Sequence, residues 1–421
     1  MNFSRLSLNS LWLLISRLGT QAGMAVFTIL LARGLGSMLF GEYAFMASVV
    51  VIGNVLTTFG TDMLLIREIA ATDRLNQLFS ALLIQLMLSA MFIAVVFIGS
   101  AYLPQEDSSA SAALRVYSLS MLPLAFYTVF TTALRGRQHM LAYAFLSAAL
   151  MLMQVAAALW LLRQGGKLIE LATFLVVVQI GGALLAGVLC ARQFPDFMGA
   201  WKTPLHSVLP LVGASAPIAM LGILGIIYQR FSILLLPLVA GATATGWFSA
   251  GARVVEAAKI GHMAVFTAMY PSMAQARGSG QRDWLTGFRF PALLLLAGAL
   301  LAAALLYLLS GILIPLLFGA QYTSSIPLVR ILAWMLIPFT FNNFFTIALL
   351  ARREEAAIAR ALALSILALV TLTLWWVPIL GAAGAAWAAL CAETIQSFIF
   401  ILSDARHGRI LRSMIAVGSS A

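Results

Sequence analysis

Apolar residues in this chain run in long blocks that short polar stretches interrupt at near-regular intervals. Twelve blocks can be marked, at about 8–32, 43–66, 78–103, 114–134, 140–162, 169–191, 209–236, 247–270, 289–317, 326–350, 358–380 and 384–402. A helix that crosses a bilayer needs roughly 20 consecutive apolar residues. Each block is long enough, and each predicts one membrane-spanning α-helix. The expected fold class is all-α, a polytopic membrane protein of about twelve transmembrane helices. Most connections are short. The longest, 192–208, falls at the middle of the chain and holds Pro195, Asp196, Trp201, Lys202 and Pro204. It divides the chain into a first lobe of six helices (1–195), a linker (196–208), a second lobe of six (209–403) and a basic tail (404–421), with a central cavity expected between the lobes.

Composition strengthens this reading. Of 421 residues, 62% are apolar and 9% are charged, against about 25% charged in soluble domains. So few charges cannot cover a water-exposed surface, and most of this surface must meet lipid. The net charge of +11 has a topological explanation that requires no nucleic acid. Sixteen Arg and Lys residues fall in one alternating set of connections and five in the other. Basic residues favour the cytoplasmic side, so both termini are expected there. The set of five is Arg33, Arg115, Arg163, Lys167 and Arg330. The apolar run after Met1–Arg5 is longer than a signal-peptide core and reads as a retained first helix.

Cys190 and Cys391 both sit in apolar runs, and the four histidines are scattered singly. No disulfide framework, metal site or cofactor is expected. The halves echo one another: Leu134-Arg135-Gly136-Arg137-Gln138 follows the fourth block and Leu350-Ala351-Arg352-Arg353-Glu354 the tenth. Both halves carry an even number of blocks, so the repeats are expected to be parallel, with a substrate site at their interface.

The candidate chemistry lies in the exceptions to apolarity. A charge at the bilayer centre costs roughly 2.5–3.5 kcal/mol on insertion scales, so each needs a partner, water or a task. Seven charged residues within the blocks are the candidates: Arg17, Asp62, Arg230, Arg253, Glu256, Lys259 and Glu393. Ser10, Arg17, Gln21 and Thr28 share one stripe of the first helix, and Asn54, Thr58 and Asp62 recur at i, i+4 and i+8 in the second block. Arg253, Glu256 and Lys259 stand at successive i+3 steps in the eighth. The tenth block offers Asn342, Asn343 and Thr346; the twelfth offers Glu393, Gln396 and Ser397. These stripes predict a shared polar interior. Arg17, Gln21, Asn54, Arg230, Arg253 and Lys259 are the candidates to hold a phosphate or diphosphate, since guanidinium and ammonium groups suit phosphate oxygens. Internal pairing competes with that role for Arg253, Glu256 and Lys259, snorkelling for Arg230, and pairing with Arg67 for Asp62. Asp62, Glu256 and Glu393 are the acids able to carry a proton or cation. Pro123, Pro217 and Pro338 are expected to kink their helices.

Several motifs, in order and spacing, resemble the Wzx-type oligosaccharide flippases. That group is the polysaccharide-export branch of the superfamily that also holds the MATE exporters and lipid II flippases. They include Leu31-Ala32-Arg33-Gly34-Leu35-Gly36, Phe40-Gly41-Glu42-Tyr43, Gly60-Thr61-Asp62, Arg67-Glu68-Ile69-Ala70, Gly246-Trp247-Phe248-Ser249-Ala250-Gly251-Ala252-Arg253 and Phe318-Gly319-Ala320-Gln321-Tyr322. The resemblance implies a two-lobed flippase of a bacterial inner membrane. It would move undecaprenyl-diphosphate-linked glycan from the cytoplasmic to the outer leaflet, as a monomer, upstream of a polysaccharide polymerase and chain-length machinery. Ser232 stands where the family often has an acid. Two transporter alternatives stand beside this reading: a MATE-type exporter of small cations, which would want a net acidic cavity, and a lipid II flippase. An enzyme is not expected, because no outside connection exceeds about ten residues and neither paired acids nor a phosphate-cradling glycine loop is present.

Overall fold

The computed structural model describes residues 3–102, 108–197, 199, 207–278 and 285–407. Among them the chain is helical, in fourteen α-helices with two short 3-10 turns. These are α1 (Phe3–Thr58), α2 (Thr61–Thr72), α3 (Leu78–Gly99), α4 (Ser108–Ser118), α5 (Met121–Gly136), α6 (Met140–Arg163) and α7 (Leu168–Gln193). Then come α8 (Val208–Val239), α9 (Gly241–Gly278), α10 (Arg289–Phe318), α11 (Ile326–Ala333), α12 (Leu336–Ala351), α13 (Glu355–Leu380) and α14 (Ala382–His407). Every predicted block falls on a helix or a broken pair. Nine described helices are long and apolar enough to cross a membrane, or ten when the bent pair α11–α12 counts as one span. α1 is kinked at Gly36, where φ is 80°, so its two arms correspond to the first two blocks. α9 is long enough to span but outside that count; Arg253, Glu256 and Lys259 concentrate three charges near its middle.

The chain forms two compact units, Met1–Arg230 and Phe231–Ala421. They share structural devices that motif matching only hinted at. In each, one span is broken three to four residues before a proline: α4 gives way to α5 ahead of Pro123, and α11 to α12 ahead of Pro338. Proline has no N–H and clashes with the carbonyl four residues earlier. The backbone there tightens to i→i−3 bonds, Leu122 N–H to Leu119 O at 3.2 Å and Ile337 N–H to Trp334 O at 3.3 Å. The α11 break bends its span by 42°. Pro217, by contrast, is carried inside a continuous α8. Next, α5 and α12 end in the same cap. Gln138 and Arg353 take left-handed conformations (φ 59° and 62°), and the following N–H reaches back five residues, His139 to Leu134 O at 2.8 Å and Glu354 to Leu349 O at 3.0 Å. This is the Schellman arrangement that satisfies the last carbonyls of a helix. Finally, an arginine on the broken span ties to a serine at the span before it: Arg115 Nε donates to Ser100 Oγ at 2.6 Å, and Arg330 Nε to Ser310 Oγ at 3.2 Å. Two of the five minority-side basic residues therefore serve inter-helix packing.

In the first unit, Leu64, Leu78, Val129, Leu134, Leu146, Ala186 and Cys190 build one core from α2, α3, α5, α6 and α7. In the second, Phe266 of α9, Phe344 and Phe345 of α12 and Phe400 of α14 form an aromatic core, with Phe345 stacked on Phe400 at 5.8 Å between centroids. This core also aims a set of polar residues. Lys259 precedes Phe266 by two helical turns, Glu393 precedes Phe400 by two, and Asn342 precedes Phe345 by one. Residues so spaced share a helix face, so packing the aromatics turns Lys259, Asn342 and Glu393 toward one another.

Candidate functional site

The second unit gathers a polar cluster in an apolar surrounding. Glu393 on α14 is 5% exposed and Asn342 on α12 is 3% exposed. The Asn342 amide donates to Glu393 Oε2 at 2.7 Å and to the Glu393 carbonyl at 2.9 Å. Ser397, one turn after Glu393, donates to Asn342 Oδ1 at 2.7 Å. Buried polar groups are normally satisfied in this way, and the result pins α12 to α14. Of the predicted polar residues of the tenth and twelfth blocks, Asn342, Glu393 and Ser397 thus meet as a hydrogen-bonded set, while Asn343 and Thr346 bond to carbonyls of their own helix.

On α9 the three charges divide. Arg253 Nη1 donates to Glu256 Oε2 at 3.0 Å, an i,i+3 ion pair with side chains 27% and 42% exposed. Lys259 stands apart. Its ammonium lies 4.5 Å from the centroid of the Phe339 ring and 3.8 Å from Met335 Sδ. Among the described residues no oxygen accepts from it. The charges of Glu393 and Glu256 act on it from beyond ion-pair distance. Lys259 is crowded by surrounding atoms yet keeps accessible surface, as a residue lining a crevice does. Phe339 belongs to the first turn of α12, and Met335 to the break that Pro338 enforces. The break therefore supplies the seat for the lysine. A ring face attracts a cation but leaves the donor capacity of an ammonium largely unused.

The pairing of Arg253 with Glu256 makes a checkable forecast. Arg253→Met alone leaves Glu256 without its partner and is expected to cost more stability than Arg253→Met with Glu256→Gln together. Thermal unfolding of the purified variants reads this; the coupling expected for a partly exposed pair is about 0.3–1 kcal/mol.

The other predicted residues disperse. Arg17 lies on α1, and its side chain is outside the described residues. Gln21 is exposed on α1. Asn54 is half-buried and its carbonyl accepts from Thr58 at 2.8 Å, while its own side-chain oxygen is buried without a hydrogen-bond partner among the described residues. The stripe expected from Asn54 through Asp62 is not continuous. The chain breaks at Phe59 and Gly60, both left-handed (φ 47° and 67°), so Asp62 belongs to a separate helix. The break admits a close neighbour: a Cβ on Gly60 would lie 2.9 Å from the backbone nitrogen of Ala219 in α8. Asp62 sits in the first turn of α2, where the helix dipole favours an acid. No ion pair joins it to Arg67 among the described residues. Arg230 is half-buried on α8 and engaged by neighbours.

One cluster was missed from sequence. Arg137, at the C-cap of α5, forms an ion pair with Asp73 Oδ1 at 2.9 Å and donates to both oxygens of Asp196, at 2.6 and 2.5 Å. Its guanidinium also covers the Phe194 ring at 4.8 Å. Three connections are thereby clasped at one end of the first unit. Nothing in residue spacing joins positions 73, 137 and 196; only the packing of α2, α5 and α7 does. The bidentate bond from Arg137 holds the Asp196 carboxyl below the usual carboxylate range. A depressed carboxyl stabilises the fold above its ordinary titration range, near pH 4, and that contribution fades as pH falls through and below it. Arg137→Ala is expected to lower stability by about 1–2 kcal/mol at pH 7.5, and the difference from the unaltered chain should shrink toward pH 3. The Asp196 side chain is about half exposed, so the acid-sensitive share is small.

The family profile described as polysaccharide biosynthesis protein matches residues 6–277. The chain belongs to that family. No curated protein matches it in sequence. Solved structures match along nearly the whole chain. An inward-facing multidrug resistance MATE family transporter of the MOP superfamily has a TM-score of 0.79 at 14% identity, covering 94% of this chain and 96% of its own. The lipid II flippase MurJ in an inward closed conformation has a TM-score of 0.76 at 12% identity, covering 96% and 90%. A MOP-superfamily transporter from Pyrococcus furiosus, described as having a binding pocket of reversed polarity, has a TM-score of 0.66 at 15% identity, covering 96% of each chain. At these identities the likeness shows a shared fold. The chain is thus a multi-pass membrane protein of the polysaccharide biosynthesis family, with the fold that these solved structures share.

Proposed function

We propose that the chain moves a lipid-linked oligosaccharide, carried on a polyprenyl diphosphate such as undecaprenyl diphosphate, from the cytoplasmic to the outer leaflet of a bacterial plasma membrane. Lys259 serves as a cationic seat for the diphosphate. A polysaccharide polymerase with its chain-length machinery would then act on the product.

The observation that carries this reading is the state of Lys259. It is a cation deep in a membrane-embedded unit, held against a ring and a thioether, with no oxygen acceptor among the described residues. A charge is costly there, and a phosphate oxygen satisfies it better than a ring face does. Arg253, already joined to Glu256, has less to offer an anion. Family membership and the shared fold of a lipid II flippase support a lipid-diphosphate cargo. Export of small organic cations is the weaker alternative, since a cationic cargo would be repelled by the lysine.

The test is a comparison of ligands on the purified chain in nanodiscs. Undecaprenyl diphosphate should bind at least tenfold more tightly than ethidium, and raising salt should weaken it. Tighter binding of ethidium would overturn the proposal in favour of a cation exporter.

A further inference from the structure

Arg330 carries a charge on a face that otherwise suits lipid. It stands on α11, against α10, and is exposed. Only 17% of the apolar window of the Thr286–Phe318 span is buried, the smallest share among the nine counted spans. Leu301, Leu305, Leu308 and Ile312 lie exposed along it. An arginine so placed normally snorkels toward water. This one is pinned. Its Nε donates to Ser310 Oγ at 3.2 Å, and that hydroxyl donates in turn to the Tyr307 carbonyl at 2.9 Å. The guanidinium lies 5.4 Å from the centroid of the Tyr307 ring, and the Tyr307 ring is 6.1 Å from that of Trp334. Ser310 precedes Phe318, the last residue of α10, by eight positions, about 12 Å along a helix axis. Among the described residues, the two terminal nitrogens of Arg330 have no hydrogen-bond partner.

From this pinned and half-used guanidinium we infer that Arg330 holds the phosphate of a bilayer phospholipid at the junction of α10 and α11. The charge asymmetry of the connections puts the site on the outer-leaflet side. The terminal nitrogens fork onto two phosphate oxygens. The exposed leucines of α10 take the acyl chains. Tyr307 and Trp334, 41% and 38% exposed, flank the headgroup, as tyrosine and tryptophan do at a membrane–water boundary. Charge complementarity selects this occupant. A phosphodiester carries one negative charge, and the site offers one positive charge. α11 has no other basic residue, and in α10 Arg289 stands at the opposite end. A polyprenyl diphosphate carries more charge than one guanidinium neutralises. The inference is independent of the reading of Lys259, which shares no residue with this site.

The experiment places the full chain in nanodiscs doped with phosphatidylglycerol that bears a photoreactive group on its head. A parallel set carries a diacylglycerol with the same group and no phosphate. After irradiation, mass spectrometry maps the adducts. The peptides holding Tyr307 and Trp334 should be labelled about fivefold more by the phosphatidylglycerol than by the diacylglycerol. Arg330→Met should bring the two to the same level, Arg330→Lys should keep part of the difference, and Arg115→Met should leave it unchanged. Equal labelling of these peptides by the two lipids in the unaltered chain overturns the inference, as does labelling that Arg330→Met leaves undiminished. The comparison of lipids uses the unaltered chain alone, so it decides the matter even if Arg330→Met fails to fold. Unlabelled phosphatidylglycerol should displace the label at lower concentration than farnesyl diphosphate does. The reverse order would assign the site to a diphosphate lipid and overturn the choice of a phospholipid.

Discussion

Lys259→Met is expected to reduce diphosphate-lipid affinity and transport by about 10- to 100-fold, with the protein still inserted and folded. A hydrogen bond to a charged group is worth about 1.5–3 kcal/mol, and the anion would lose both that bond and a full charge. Methionine retains the length of the side chain and its packing on Phe339, so the loss should be specific to charge. The fold should not suffer, because among the described residues the ammonium makes no ion pair that the substitution would break. Arginine is the informative replacement. Its fork reaches phosphate oxygens as well, so Lys259→Arg should recover a measurable part of the activity, whereas Arg253→Met should cost far less than Lys259→Met. Equal losses for Arg253→Met and Lys259→Met would mean that the α9 charges act as a structural set rather than through one seat.

The second large effect concerns folding. Gly384→Val should lower stability by about 3 kcal/mol, the upper end for overpacking, and sharply reduce the yield of folded protein. A Cβ at Gly384 would stand 2.3 Å from the Trp376 carbonyl oxygen and 2.9 Å from the Val377 nitrogen. These are backbone atoms of α13, so no side chain can rotate aside. α13 and α14 must separate, and α14 carries Glu393. The turn between them adds to the constraint: Gly381 has φ 57° and ψ −133°, a conformation that residues with a Cβ avoid. Gly298→Ala in α10 is the control, because nothing lies within 4 Å of its added carbon. It should leave stability unchanged or raise it by about 0.5–1 kcal/mol. Thermal unfolding in detergent compares the two.

Much of the helical body was legible because a bilayer-spanning helix writes its length into the chain. Each apolar block met a helix or a broken pair, and the echo between Arg135-Gly136-Arg137 and Ala351-Arg352-Arg353 marks two caps of the same geometry. Local backbone breaks were less legible. Pro123 and Pro338 announced some disturbance, but nothing in composition said that they would sever their spans while Pro217 would not. The left-handed turn at Phe59 and Gly60 divided a polar stripe that looked continuous, since the close approach of Ala219 comes from a helix far along the chain. Among the candidate residues, i+3 spacing anticipated the Arg253–Glu256 pair. Asn342, Glu393 and Ser397 were marked as polar exceptions on two helices, and their meeting required the Phe345–Phe400 packing to become visible. The seat of Lys259 could not be read at all, because Met335 and Phe339 look like ordinary apolar residues in sequence.

The central claim is leaflet transfer of a diphosphate-linked glycan through the Lys259 seat. Its most direct test is reconstitution of the purified chain into vesicles holding a fluorescent undecaprenyl-diphosphate disaccharide, with a membrane-impermeant quencher reporting how much of the label reaches the accessible leaflet. The unaltered chain should render more label quenchable than protein-free vesicles within the assay, and Lys259→Met should fall back to the protein-free level. Equal transfer by the unaltered chain and Lys259→Met, or no transfer by the unaltered chain, would contradict the account.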